Sequence, residues 1–156
     1  MGKEIQNGRF MAKSGEEVVV FVIGMRINKW WAIHKWWPVF TAMPAMLREL
    51  YTHKELGFLS METTMNFRTI MLVQYWKSFE DLQKYARGDL HLKAWRNFYQ
   101  KLSQSSAVGI YHETYQIKPG SYECIYANMP SFGLSKAIGS EAITPKFQSA
   151  NKRMNG

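Results

Sequence analysis

The apolar residues change period several times along the chain, and each change marks an element. Residues 18–27, VVVFVIGMRI, are β-branched and almost wholly apolar behind the polar KSGEE, the pattern of a buried central strand. From Val39 the apolar positions recur at helical spacing through Phe40, Met43, Met46, Leu47 and Leu50, and Pro44 is expected to start a second segment or kink the first. Residues 57–76 return to alternation, with Leu59, Met61, Thr63, Met65 and Phe67 set against more polar neighbours, and predict a hairpin turning near Asn66-Phe67-Arg68. Ser78 and Asp81 have capping-box spacing, and Phe79, Leu82, Tyr85 and Ala86 then form a helical face that Gly88 interrupts.

Beyond Asp89, the residues His91, Trp95, Phe98 and Leu102 fall on one side of a further helix. Residues 107–117 alternate again, Val108, Ile110, His112 and Thr114 on one face and Tyr111, Glu113 and Tyr115 on the other. Residues 122–129 suggest one more strand, at a sheet edge or pairing with another subunit. The last residues, rich in Ser, Gly, Pro and Lys, read as a loosely ordered tail.

The order strand, helix, strand, strand, helix, strand predicts an α+β fold of the ferredoxin-like βαββαβ type, an antiparallel sheet with helices on one face. One domain is expected over residues 18–128, between an N-terminal extension, 1–17, and a basic tail, 129–156. The second sheet face is apolar enough to need cover from another subunit, so a homodimer is expected.

Composition narrows the partners. A chain of 156 residues with 46% apolar and 21% charged residues suits one globular domain. The net charge of +8 would suit an anionic partner, but the cations are scattered, and zinc-finger spacing, a basic helix and an RNA-binding aromatic signature are all lacking. Nucleic acid is therefore not the expected partner. The lone Cys124 excludes an intramolecular disulfide and a cysteine-based zinc site within one chain, and suits a reducing cytoplasm. Neither a signal peptide nor a transmembrane run is read in the sequence.

Several residues could carry chemistry. His91 shares a helix face with Trp95 and Phe98, where it could serve a cavity as acid, base or iron ligand, or simply cap the helix start or face water. Arg26 and Asn28 end the first strand, where a cavity mouth is expected, and could hold a carboxylate or orient an oxygen-bearing group. His112 is read first as a structural hydrogen-bonding group at the dimer sheet. The stretch NKWWAIHKWWPVF, residues 28–40, holds four of the six tryptophans; if helical, it places Trp30, His34 and Trp37 on one face, packed over the cavity mouth. A membrane-surface role is the alternative, since aromatic and basic residues together favour an interface. The chain carries no nicotinamide or flavin fingerprint and no phosphate loop.

The stretches VVVFVIGMRINKWW, KWWPVFTAMPAMLREL, LVQYWKSFEDLQKYAR, HLKAWRNF, GIYHETY and YECIYANMP resemble a family related to the monooxygenase of fumagillin biosynthesis, over roughly residues 8–134. The resemblance implies a dimeric α+β barrel, in which the sheet of one ferredoxin-like subunit packs on its partner's. Related barrels include cofactor-independent monooxygenases, haem-degrading monooxygenases and haem-containing aldoxime dehydratases. Aligned on the W-K-S helix start, Trp95 stands where the haem degraders carry their iron-binding histidine, and His91 lies one helical turn earlier.

Taken with these residues, the resemblance implies a monooxygenase-like oxidoreductase acting on a hydrophobic small molecule between sheet and helices, with haem or no cofactor. His91, Asn28 and Arg26 would carry the chemistry, while Trp95, Trp76, Phe98, Trp30, His34, His112 and Tyr85 would surround the ligand. Among these His91 is the candidate ligand to haem iron. A haem-binding protein, an aldoxime-dehydratase-like enzyme and a non-catalytic carrier of hydrophobic ligands remain the alternatives.

Overall fold

A computed structural model describes residues 4–102 and 104–155. The apolar run of residues 18–27 becomes an inner strand of a four-stranded antiparallel sheet, with Val18, Val19, Met25 and Ile27 buried and Val20 to Ile23 half-buried, as suits β-branched side chains on a covered sheet. In chain order the elements are β1 (Gln6–Ala12), β2 (Val18–Ile27), α1 (Ile33–Thr52), β3 (Phe58–Met65), β4 (Thr69–Trp76), α2 (Phe79–Ala86), α3 (Asp89–Leu102), β5 (Val108–Ile117), β6 (Tyr126–Met129), α4 (Gly133–Ile138), β7 (Ser140–Ala142) and α5 (Ala150–Asn155). The main sheet runs β3-β4-β2-β5, the strand order of the ferredoxin-like fold. The expected α+β class and βαββαβ core are therefore present.

Local chemistry places the boundaries. Asn66 accepts from the backbone N–H groups of Arg68 and Thr69, which turns the β3–β4 hairpin where it was expected. Ser78 caps α2 by accepting from the Asp81 N–H at 3.1 Å. Pro44 starts no second helix: α1 runs through both Pro38 and Pro44, with one apolar face from Val39 to Leu50 packed along its length.

The two ends of the chain correct the sequence reading. The extension 1–17 contains β1, and the supposedly loose tail 129–156 contains α4, β7 and α5, so neither lies outside the fold. Strand β6, expected at a sheet edge or pairing with another subunit, is an edge strand of a second sheet, paired with β1, and β7 takes the other side of β1. This second sheet was invisible to periodicity because its partners are more than a hundred residues apart. Helix α4 then rests on the sheet face turned away from α1–α3: the Gly133 N–H and the Lys136 ammonium both meet the Glu62 carboxylate, at 3.1 and 3.2 Å. The chain thus covers part of the face expected to need a partner, while Tyr115, on β5, stays 51% exposed there.

Gly24 is fixed by close approach. A Cβ at this position would lie 2.5 Å from the Tyr111 hydroxyl and 2.6 Å from the Ile70 carbonyl oxygen, so neither neighbouring strand leaves room for a side chain. Gly24→Ala should lower unfolding stability by about 2 kcal/mol in urea melts. An unchanged midpoint would contradict this packing.

Candidate functional site

The register of the main sheet decides which side chains meet the helices. Phe21 of β2 lies between Gln74 of β4 and Thr114 of β5; Ile23 lies between Leu72 and His112; Met25 lies between Ile70 and Ile110. Side chains alternate along a strand, so these three rows share the face covered by α1, α2 and α3. The helices touch the sheet through two separate clusters. One joins Val19, Leu50, Phe58, Trp76, Leu82 and Tyr85; the other joins Met25, Ile27 and Val108 with Trp36, Val39 and Phe98 packed on them. Between the two lies a cavity of about 730 Å³, well within the range of small-molecule sites.

Its walls are mostly apolar, including Ile23, Met43, Met46 and Leu47, with Trp95 and Phe98 from α3. Polar groups enter at a few points. His34 and Lys35 approach from the start of α1, Gln74 and His112 from the sheet, and His91 from the first turn of α3.

His91 is held by a leftover of helix termination. Helix α2 stops at Ala86 and the chain turns at Arg87 and Gly88, leaving the Ala86 carbonyl without a helical donor. The His91 Nδ1 lies 3.0 Å from that oxygen. A carbonyl can only accept, so Nδ1 carries the hydrogen and the neutral ring keeps its lone pair on Nε2. Burial pushes the His91 pKa below its ordinary value; the Ala86 bond opposes this and the nearby His112 adds to it. The ring is therefore a neutral base at pH 7, fixed in one tautomer beside an apolar volume. The ring thus closes the end of α2 instead of capping the start of α3, and it lines the cavity.

Gln74 is a site residue that the sequence reading missed. It is 5% exposed, and its Oε1 accepts the indole N–H of the fully buried Trp76 at 3.0 Å. Because an indole nitrogen only donates, the amide oxygen is committed and the NH₂ group is what Gln74 can offer a ligand. The signal was available: Gln74 is the one polar residue on the inward parity of LVQYW, between Leu72 and Trp76.

The other expected residues divide. His34, Tyr85, Trp95, Phe98 and His112 line the cavity with His91. His112 faces the helices, its ring 5.7 Å from that of Phe21, rather than the open sheet face. Tyr85 donates to the Met46 carbonyl at 3.3 Å, and burial, with the Glu49 carboxylate nearby, raises its pKa well above the ordinary value.

Arg26 and Asn28 do not join this group. Arg26 has the opposite parity to Met25, pairs with Thr69 and Gly109, and is exposed. Asn28 spends its main chain on Ala107 and Arg68 just past the strand end. Trp76 lies in the core beneath the cavity instead of lining it, and Trp30 precedes α1, so Trp30, His34 and Trp37 share no helical face. Trp30 lines a separate cleft of about 210 Å³ with Trp36, Trp37, Phe40, Met65 and Phe67. Among the described residues, no three of His, Cys, Asp or Glu gather as a metal site.

A ferredoxin-like sheet, helices on one face and a ligand-sized cavity between them define an α+β protein of the ferredoxin-like class. The chain belongs to the Monooxygenase af470-like family, whose model matches residues 18–134. It is 29% identical over 135 residues to Monooxygenase af470 of Aspergillus fumigatus, an alignment covering 81% of this chain and 48% of that protein. The chain thus spans about half the length of the curated relative it matches.

Among solved structures, an aldoxime dehydratase in complex with butyraldoxime shares the fold, with a TM-score of 0.69 at 13% identity over 89% of this chain and 41% of that one. A second aldoxime dehydratase gives 0.62 at 16% identity, over 98% and 45% respectively.

Because its folded pKa is depressed, His91 binds fewer protons in the folded chain than in the unfolded one below the ordinary value of about 6.5. Its contribution to stability is full above that value and is lost as pH falls through the folded pKa. Urea midpoints should drop between about pH 7.5 and about pH 5.5, and His91→Gln should flatten the drop. An equal slope in both proteins would contradict a buried neutral ring.

Proposed function

We propose that this chain is a monooxygenase-like enzyme acting on a hydrophobic small molecule in the cavity between sheet and helices, with His91 as its proton-handling group. One observation carries the reading: His91 spends Nδ1–H on the Ala86 carbonyl and keeps a basic Nε2 beside an apolar volume of about 730 Å³. An aromatic or polyene substrate fits walls formed by Trp95, Phe98 and the α1 methionines. Nε2 takes a proton from an acidic O–H or C–H of that substrate. The Gln74 amide donates to the oxygen on which negative charge develops, and His112 lies on the same cavity wall to assist. The resulting anion, reacting as a carbanion at a methylene, transfers electrons to dioxygen and bonds to it; the peroxide takes back the proton held by His91 and loses water to leave a carbonyl. The substrate methylene is thus the sole reductant, one oxygen atom ending in the product and the other in water. Membership of the monooxygenase family supports this class of reaction.

Haem, which the resemblance raises as a cofactor, is compatible with the same residues. A ligating histidine characteristically donates its other ring N–H to a carbonyl or carboxylate, as His91 does to Ala86. His91 would hold the iron, Lys35 offers a cationic partner for a propionate and His34 a ring N–H. Bound haem would supply iron-centred oxygen or oxime chemistry. In either case a second copy of the chain covers the part of the outer sheet face around Tyr115 that α4 leaves open.

Oxygen uptake with a panel of hydrophobic phenols and polyenes, with and without hemin, tests the proposal. Substrate-dependent uptake should fall by about a hundredfold or more in His91→Ala while the fold persists. Ligand binding with no uptake under either condition would favour a carrier, and full activity in His91→Ala would remove the histidine from the mechanism. A saturable Soret shift lost in His91→Ala would assign the haem form.

A further inference from the structure

The second cleft belongs to a larger exposed patch that the cavity does not explain. At the start of α1 and the tip of the β3–β4 hairpin, Trp31 and Phe67 are each 79% exposed, Met65 is 68%, Ile33 is 56% and Trp37 is 51%. The groups are connected: the Phe67 ring lies 5.0 Å from that of Trp30, and Trp37 touches both Trp36 and Phe40. Solvating so many large side chains at one end of a small chain is costly, and such a patch marks an interaction surface.

Charge narrows the occupant. Segments 26–41 and 63–70, which build the patch, contain Arg26, Lys29, Lys35 and Arg68 and no Asp or Glu. Arg26 and Lys29 are exposed, and Arg68 lines the cleft itself. Lys35 turns instead to the cavity and bonds the Ser105 hydroxyl; a two-fold pairing of the patch with itself would bring the remaining cations together with no carboxylate to offset them, which opposes self-association. Indole rings with a surrounding of cations suit the headgroup zone of a bilayer, where the ring body meets acyl chains and the charges meet lipid phosphates. We propose that this patch docks the protein on an anionic membrane surface, with the α1 start and the β3–β4 tip inserted at headgroup level. No described helix is long and apolar enough to cross a membrane, so the contact is peripheral.

Helix α1 gives the arrangement a use. Trp37 and Phe40 face the patch, while His34, Val39 and Met43 line the large cavity, so one helix separates the cavity from the docking surface. A hydrophobic molecule dissolved in the bilayer would then have a short route in. Docking itself is independent of the chemistry proposed for His91.

Flotation of the full chain with vesicles of phosphatidylcholine alone, and with added phosphatidylserine, tests the docking at low and high salt. Binding should require phosphatidylserine, weaken with salt and shift tryptophan emission to the blue. Trp31→Ser with Phe67→Ser, and separately Arg26→Glu with Lys29→Glu, should each reduce binding by about tenfold or more. All four positions are exposed, and circular dichroism checks that both variants fold. Failure to bind either vesicle, or binding that neither variant reduces, would overturn the proposal. A mass measurement showing a dimer that the Trp31→Ser, Phe67→Ser variant dissociates would overturn it too, by assigning the patch to self-association.

Discussion

Everything around the site depends on the helices being fastened to the sheet at two ends and held away from it in the middle. At one end Trp76 is fully buried against Val19, Phe58 and Leu82; at the other Met25, Ile27 and Val108 hold Trp36 and Phe98. Strand β2 spans the distance, contributing Val19 to one anchor, Ile27 to the other and Phe21 and Ile23 to the space between. A packed interior tolerates few voids, so a volume of this size persists only because both anchors resist collapse. The mostly apolar lining gives its few polar side chains a low-dielectric setting in which each polar interaction counts for more.

Placed in that setting, a histidine of ordinary type becomes specialised through two backbone facts. The break between α2 and α3 at Gly88 frees the Ala86 carbonyl, and the first turn of α3 brings the His91 ring to it. The hydrogen bond selects the tautomer, burial keeps the ring neutral, and His112 across the cavity opposes its protonation further. Gln74 is organised in a parallel way, since the Trp76 indole occupies its oxygen and leaves its NH₂ as donor. A fixed acceptor and a fixed donor are what a proton-transfer step uses, and neither needs a metal or an ion pair to orient it.

Local periodicity carried much of this architecture. The boundaries of β2, the hairpin turn at Asn66, the Ser78 cap and the break at Gly88 all arise from short-range chemistry, and each was readable from neighbouring residues. His91, Trp95 and Phe98 were legible as one face because helical spacing is rigid. The small sheet of β1, β6 and β7 was not, since its three short strands pair only across nearly the whole chain. Arg26 and Asn28 were misplaced by attending to the strand end rather than to parity; Arg26 takes the side opposite Met25. Gln74 was overlooked for the complementary reason, a polar residue on inward parity passed over among aromatics.

The most direct test of the central claim is long-range proton–nitrogen NMR of the His91 ring, free and with a hydrophobic phenol bound. A ring protonated at Nδ1, with an unprotonated Nε2 whose resonance moves on ligand binding, is the predicted result. A ring protonated at Nε2, or one indifferent to the ligand, would contradict the claim that His91 presents its basic nitrogen to the cavity.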